Sequence, residues 1–422
     1  MENYAIILVV LGLMVFLHAI AEKLNLSPPL LLVTAGLAIG FIPSISGMRI
    51  DPEIVFLLFL PPLLFDAAFK LSFDDFKDNL DTIAGLAFGL VFLTTAGIAV
   101  TAHYLIPGMT WSLSFVLGAT LAATDAVAAM GITKKLGLTK TATTILEGES
   151  LVNDASALVA YKFAVTAVAG VTFIFWKAFL SFFLLIGGGI AIGYITHYLH
   201  TIILRIIRTH QLALLSFILL APFIAYLVAE EVHVSGVIAV VTLGFATARL
   251  SNKYFPEKLK QELKSVWDMI GFLLNGLIFI LIGIEFPHVI RSIDKSLWLP
   301  YIGYAFLITL VALIIRALRV SMQRKKLLMA SNDPRMKERR RKISPNAVLT
   351  FQDGVIISWS GMRGIVSLAM AISLPVIMTA GQPFPMRTDI IFIATASVLL
   401  TILGQGILLP FIAKFAGRAE AK

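Results

Sequence analysis

The chain has 422 residues, of which 58% are hydrophobic and 14% charged, and its mean hydropathy is +0.91. These values exclude a string of soluble domains, and the absence of cysteine excludes disulfides and zinc–thiolate chemistry. The net charge of +9 calls for no nucleic-acid partner, because its basic residues fall where a membrane topology puts them.

Apolar runs long enough to cross about 30 Å of hydrocarbon occur at 4–21, 29–45, 53–69, 80–106, 111–132, 143–169, 172–196, 211–229, 233–250, 265–284, 298–320, 350–379 and 389–413. The reading is therefore an all-α polytopic membrane protein of about thirteen transmembrane helices. The first run lacks a basic flank and a small-residue cleavage site, so it is read as a retained span and not as a signal peptide. The longest polar stretch, about 321–345, is too short and too basic to hold a core, so no soluble domain is expected.

With the N-terminus outside, 27 of the 34 lysines and arginines fall on one side. They include Lys23, Lys70, Lys77, Lys134, Lys135, Lys140, Arg205, Arg208, the basic residues of 249–264 and those of 316–342. Arg49, Lys177, Arg291, Lys295 and Arg387 fall on the other. The positive-inside rule then places the C-terminus in the cytoplasm and the chain in a cell membrane. His18, His103, His197, His200 and His210 sit at span ends, where a ring tip reaches water.

Two spans are interrupted by small and polar residues: the fifth at Gly118–Ala126 and the twelfth at Ser358–Ser367. Non-helical backbone at membrane depth is tolerated where it is buried in protein or lines a polar cavity. Each break sits in the middle of a three-span group, 4–6 and 11–13, and an offset of seven spans reverses the direction of crossing. That arrangement predicts an inverted repeat with two broken, crossing helices and a site at the repeat interface.

The sixth span opens with Glu147-Gly-Glu-Ser-Leu-Val-Asn-Asp154. Charged groups in a span are costly and mark ion or proton paths. Helical geometry places Ser150 and Asp154 in one row and Glu149 and Asn153 in a second, about 100° round. The first row offers hard oxygen ligands to a cation, and the second is suited to holding the broken helices. Arg363, between Gly361 and Gly364, needs a carboxylate partner, with Glu149 the first candidate and Glu147 the second. At the fifth-span break, Thr124 offers a carbonyl or hydroxyl, and Asp125 either assists the ion or compensates a helix end. Asp66 follows Pro61 and Pro62 in the third span and either faces the cavity or lies near the cytoplasmic boundary with Lys70. Asp353 reads as a helix-start carboxylate.

Ala123-Thr-Asp125, Glu147–Lys162 and Trp359-Ser-Gly-Met-Arg-Gly364, in this order and in these spans, resemble the NhaP/NHE-type sodium/proton antiporters, the first branch of the monovalent cation/proton antiporters. The resemblance implies an NhaA/NhaP-like fold, a homodimer and a core that moves against a dimerisation part. The core is assigned to 80–170 and 298–416 with 53–70, and the interface part to 1–45 and 172–284, where Gly36 and Gly40 suit close helix contact. Asp154 then looks like the shared cation and proton carrier, Ser150, Thr124 and Asp66 like its sodium co-ligands, Asn153 like the asparagine of an Asn-Asp pair, and Glu149 with Arg363 like a structural ion pair. Two departures stand out: Ala126 where proline commonly follows, and Asp66 where prokaryotic relatives often carry glutamate.

The expected function is secondary exchange of Na⁺, with Li⁺ or K⁺ as alternatives, for H⁺ by alternating access. One carrier acid makes an electroneutral 1:1 cycle the simplest. No cofactor is expected. A K⁺/H⁺ antiporter on the same fold and, more remotely, a cation channel are the competing readings. An intramembrane enzyme is disfavoured, because no nucleophile–base pair or histidine-rich metal motif is present.

Overall fold

The structure is a computed structural model that describes residues 2–24, 26–42, 52–133, 138–170, 175–207, 210–332, 349–378 and 381–420. The basic residues Arg49, Lys134, Lys135 and Arg208, and those between 335 and 342, lie outside the described residues.

The helices follow the apolar runs. In order they are α1 (Glu2–Lys23), α2 (Pro28–Gly40), α3 (Pro52–Leu58), α4 (Leu60–Lys70), the short amphipathic α5 (Phe73–Asp78) and α6 (Leu80–Ala84). A π-helical stretch, Gly85–Leu90, leads into α7 (Val91–Leu105), followed by α8 (Trp111–Thr120), α9 (Ala126–Thr133) and α10 (Lys140–Val168). Then come α11 (Phe175–Ile206), α12 (Gln211–Glu231), α13 (Gly236–Tyr254), α14 (Glu257–Arg291) and α15 (Trp298–Asn332). The chain closes with α16 (Phe351–Trp359), α17 (Ile365–Ile372), α18 (Arg387–Leu399), a second π stretch at Leu400–Gln405, and α19 (Gly406–Glu420).

Among the described residues seven helices are long and apolar enough to cross a membrane unbroken. The remaining expected spans coincide with α1, α2, α13 and three interrupted pairs: α3/α4, α8/α9 and α16/α17. The third span breaks at Phe59 because Pro61 and Pro62 lack N–H groups and sit in the first turn of α4, where those groups would have no helical acceptor.

The contacts divide the chain into two compact units: Met1–Ile50, Asp74–Val171 and Asn275–Lys422 form one, Asp51–Phe73 and Thr172–Leu274 the other. This grouping is by packing, and it assigns 1–45 and 53–70 opposite to the functional division expected from sequence. Within the first unit the reason is close backbone contact between α2 and the second half of α14. A Cβ at Gly36 would lie 3.0 Å from the carbonyl carbon of Ile280, and one at Gly40 would lie 2.8 Å from the Ile284 oxygen. These glycines therefore pack inside the protomer, which corrects their expected use against a partner copy.

Also in the first unit, Ile83, Leu86, Leu90, Ile145, Val320 and Ile357 form a core around α10. Asp353, 2% exposed, joins the N-termini of α10 and α16. Its Oδ2 accepts from Thr139 Oγ1 at 2.9 Å and from the Thr350 N–H at 3.2 Å, while its own N–H donates to Thr350 Oγ1 at 3.0 Å. This is a capping box that also reaches a second helix.

In the second unit, α4 lies against α13 where a Cβ at Gly244 would meet the Phe65 oxygen at 3.2 Å, and Phe65 packs on Trp267 with ring centroids 5.0 Å apart. His200 is buried and stacks on Phe217 instead of reaching water, because its face of α11 is covered by α12.

Gly36→Val should lower thermal stability by about 1–3 kcal/mol through overpacking. Gly12→Val, at a position with no neighbouring atom within 4 Å, should leave it unchanged. Melting curves of the two purified variants check this.

Candidate functional site

The two broken spans meet in the first unit. The Asp125 N–H donates to the Met362 carbonyl at 2.8 Å, and Ser367 Oγ donates to the Ala123 carbonyl at 3.4 Å. Each break thus satisfies polar groups that the other leaves open, which membrane burial requires. The approach depends on the glycines of the Gly361-Met-Arg-Gly364 motif. A Cβ at Gly364 would fall 2.6 Å from the Asp125 carboxyl carbon, and one at Gly361 would fall 3.1 Å from Arg316 Nε. Both positions are kept empty for a neighbouring side chain.

The break of the fifth span is held from α10. Ser150 Oγ donates to the Thr124 carbonyl at 3.2 Å. Asn153 Nδ2 donates to Thr124 Oγ1, which in turn donates to Glu149 Oε1 at 3.2 Å. The row containing Glu149 and Asn153 is thereby occupied in holding Thr124.

The guanidinium that completes this chain is Arg316. Its Nη1 and Nη2 donate to Glu149 Oε1 and Oε2 at 2.5 and 2.8 Å, and its Nε donates to the Ile357 carbonyl near the C-terminus of α16 at 2.8 Å. Arg316 and Glu149 are 3% and 1% exposed. One side chain therefore neutralises a buried carboxylate in the strong bidentate geometry and compensates a half-helix end. This corrects the expected pairing of Glu149 with Arg363. Arg363 lines the same enclosed space as Glu149 and Arg316 but makes no ion pair among the described residues, and its backbone N–H donates to Thr401 Oγ1 at 3.0 Å.

Sequence reasoning missed Arg316 because it was counted with the cytoplasmic basic residues 316–342. The signal was there: Arg316 stands in Leu313-Ile-Ile-Arg-Ala-Leu-Arg-Val320, and no acidic residue flanks it. Thr401 was missed as well. It lies in the second π stretch, which also leaves the Gln405 carbonyl to accept from Trp359 Nε1 at 3.0 Å.

Asp125 is a helix cap. Its Oδ1 accepts from the N–H groups of Val127 at 2.8 Å and Ala128 at 3.3 Å, at the start of α9. The break forms with Ala126 as the first residue of that helix, so no proline is needed there. Asp154 is different. It is 7% exposed, and among the described residues no protein donor reaches its carboxylate. Asp125 is close enough to interact with it electrostatically.

Asp66 belongs to the second unit. Lys70 Nζ lies 2.8 Å from Asp66 Oδ2 and 2.7 Å from Asp268 Oδ1, so one ammonium serves two carboxylates. Asp66 Oδ1 is buried and accepts no hydrogen bond. Asp268, which carried no signal in the sequence, thus has a defined partner.

A double-mutant cycle separates the two arginines. Removing one partner of a buried pair costs about 3–5 kcal/mol, and the Glu149→Gln/Arg316→Met cycle should show a larger coupling energy than Glu149→Gln/Arg363→Met. Equal couplings in denaturation measurements would contradict the pairing.

Residues 7–415 match the family model described as sodium/hydrogen exchanger, transmembrane. The chain is 33% identical over 424 residues to a sodium, potassium, lithium and rubidium/H⁺ antiporter of Bacillus pumilus, covering 98% of this chain and 62% of that protein. It thus spans about three fifths of that relative's length. It is 31% identical to the Na⁺/H⁺ antiporter NhaH of Halobacillus aidingensis, with 98% of each chain covered. Among solved structures it is similar to the sodium proton antiporter MjNhaP1 of Methanocaldococcus jannaschii, with a TM-score of 0.70, 22% identity and 99% of each chain covered. That likeness shows a shared helical membrane fold. The chain is a multi-pass membrane protein and belongs to the sodium/hydrogen exchanger family.

Proposed function

We propose that this protein exchanges Na⁺ for H⁺ by alternating access, with Asp154 as the carrier of both. The observation that carries this reading is the contrast among three acids at the fifth-span break and on α10: Glu149, Asp125 and Asp154. Glu149 is bound to Arg316 and Asp125 caps α9, whereas Asp154 is buried with no protein donor among the described residues. An isolated charge in a low-dielectric setting is costly. A lone carboxylate there is stable as the acid or with a bound cation, and the proton and the cation exclude one another. Ser150 Oγ and the Thr124 carbonyl, 3.2 Å apart, are the proposed co-ligands, hard oxygens suited to a dehydrated monovalent cation. Asn153 keeps Thr124 in place, and Asp66, held through one oxygen by Lys70 in the second unit, is proposed to assist transport from there.

The protonated and sodium-loaded forms of one carboxylate carry the same charge, so the cycle is proposed to be electroneutral at 1:1. Sodium is placed first because the family and NhaH are named for it. The potassium and lithium in the name of the Bacillus pumilus relative make those ions the first comparisons. The two three-span groups that carry the breaks are read as inverted repeats, in a homodimer with the N-terminus outside and the C-terminus cytoplasmic.

In proteoliposomes Asp154→Asn should abolish cation/proton exchange while the protein remains folded, and Asp66→Asn should slow transport without abolishing it. Exchange above background in Asp154→Asn would remove the carrier assignment. A membrane potential should drive no sodium accumulation. A cycle that moved one net charge would instead sustain roughly a fiftyfold gradient per 100 mV, and unitary currents in a planar bilayer would revive the channel reading.

A further inference from the structure

Two adjoining cavities of about 270 and 750 Å³ open in the second unit where α11 and α13 end. They share Leu250 and Tyr254. The smaller is lined by Arg249 and Lys253, the larger by Arg205 and Lys258, and among the described residues no aspartate or glutamate lines either. Among the described residues none of these four cations has a carboxylate partner. This sets them apart from Lys70, Lys140 and Lys260, each of which pairs with an acid. Two acids of α14, close in sequence to Lys258, are engaged: Glu257 accepts from Lys260, and Glu262 accepts from Gln211.

Arg249 and Lys253 are four residues apart on α13, where like charges repel. Aromatic faces support both. The Arg249 guanidinium lies 4.0 Å from the Phe73 ring centroid, and Lys253 Nζ lies 5.1 Å from that of Tyr254. The walls between the cations are apolar, with Leu204, Leu214 and Phe255 in the larger cavity. Ile202, Ile203 and Ile206 of α11 are exposed aliphatic side chains on the helix that supplies Leu204 and Arg205.

We propose that this groove binds one anionic phospholipid, with its phosphate between Arg249 and Lys253 and its glycerol and upper acyl chain along Leu204, Leu214 and Phe255. A phosphate supplies the charge that the four unpaired cations lack, and the adjoining apolar wall fits a ligand whose tail stays in the bilayer. Basic pockets between transmembrane helices hold anionic headgroups by this combination. A free anion would leave the apolar wall without a partner. The proposal is independent of the transport reading, since none of these residues belongs to the carrier site.

The test uses the full chain in detergent, with native mass spectrometry against dioctanoyl phosphatidylglycerol, dioctanoyl phosphatidylcholine and inorganic phosphate. Phosphatidylglycerol should bind, and the other two should not at the same concentration. Arg249→Gln/Lys253→Gln should weaken phosphatidylglycerol binding roughly thirtyfold, and Lys140→Gln should leave it unchanged. The double variant should melt as the wild type does in phosphatidylcholine. Equal binding of phosphatidylcholine, unchanged phosphatidylglycerol binding by the double variant, or equally tight binding of inorganic phosphate would each overturn the proposal. So would a double variant that loses dimer and keeps the lipid, which would make the groove an interface between copies.

Discussion

Two helices that stop inside the membrane leave backbone groups without partners, and the first unit is organised around satisfying them. The bidentate pair of Arg316 and Glu149 is central to that solution. Its carboxylate accepts from Thr124 in the break of the fifth span, and its guanidinium donates to the Ile357 carbonyl beside the break of the twelfth. The space these side chains enclose with Asn153 and Arg363 has no room for free water, so their electrostatics act in a dry, low-dielectric setting. There an unpaired charge is expensive, and a satisfied network specifies one geometry.

The same constraint divides the labour on α10. Glu149 and Asn153 face the network, Ser150 donates to the Thr124 carbonyl, and Asp154 is the acid proposed to meet a mobile ion. A helix allows this because residues one apart point about 100° away from each other while residues four apart share a face. The proposed carrier acid can change partner without loosening the crossing, since the crossing is held by its neighbours. Capping supports the arrangement from the ends: Asp125 starts α9, and Asp353 ties the beginning of α10 to that of α16.

Much of this was legible in the sequence, for physical reasons that differ by feature. Hydropathy locates spans because lipid imposes one length and one polarity on them, and the structure follows those runs. The breaks were visible as glycine and polar residues within apolar runs. Pairings were harder to read, because they depend on which helices touch. Arg316 was assigned to the cytoplasm from its basic neighbours downstream, although its aliphatic flanks marked it as buried. Gly36 and Gly40 were correctly read as close-contact glycines and wrongly given to a partner copy, since composition does not say which helix lies opposite. For Asp66, the nearby Lys70 was noted, but Asp268, some two hundred residues away in sequence, was not.

The proposed exchange depends on one carboxylate shared by two kinds of ion, and the most direct test is to count protons. Sodium added to the purified protein in weakly buffered solution should release about one proton per chain, read with a pH indicator dye. Release should vanish in Asp154→Asn and persist in Asp125→Asn. Sodium binding by the wild type without proton release, or undiminished release from Asp154→Asn, would contradict it.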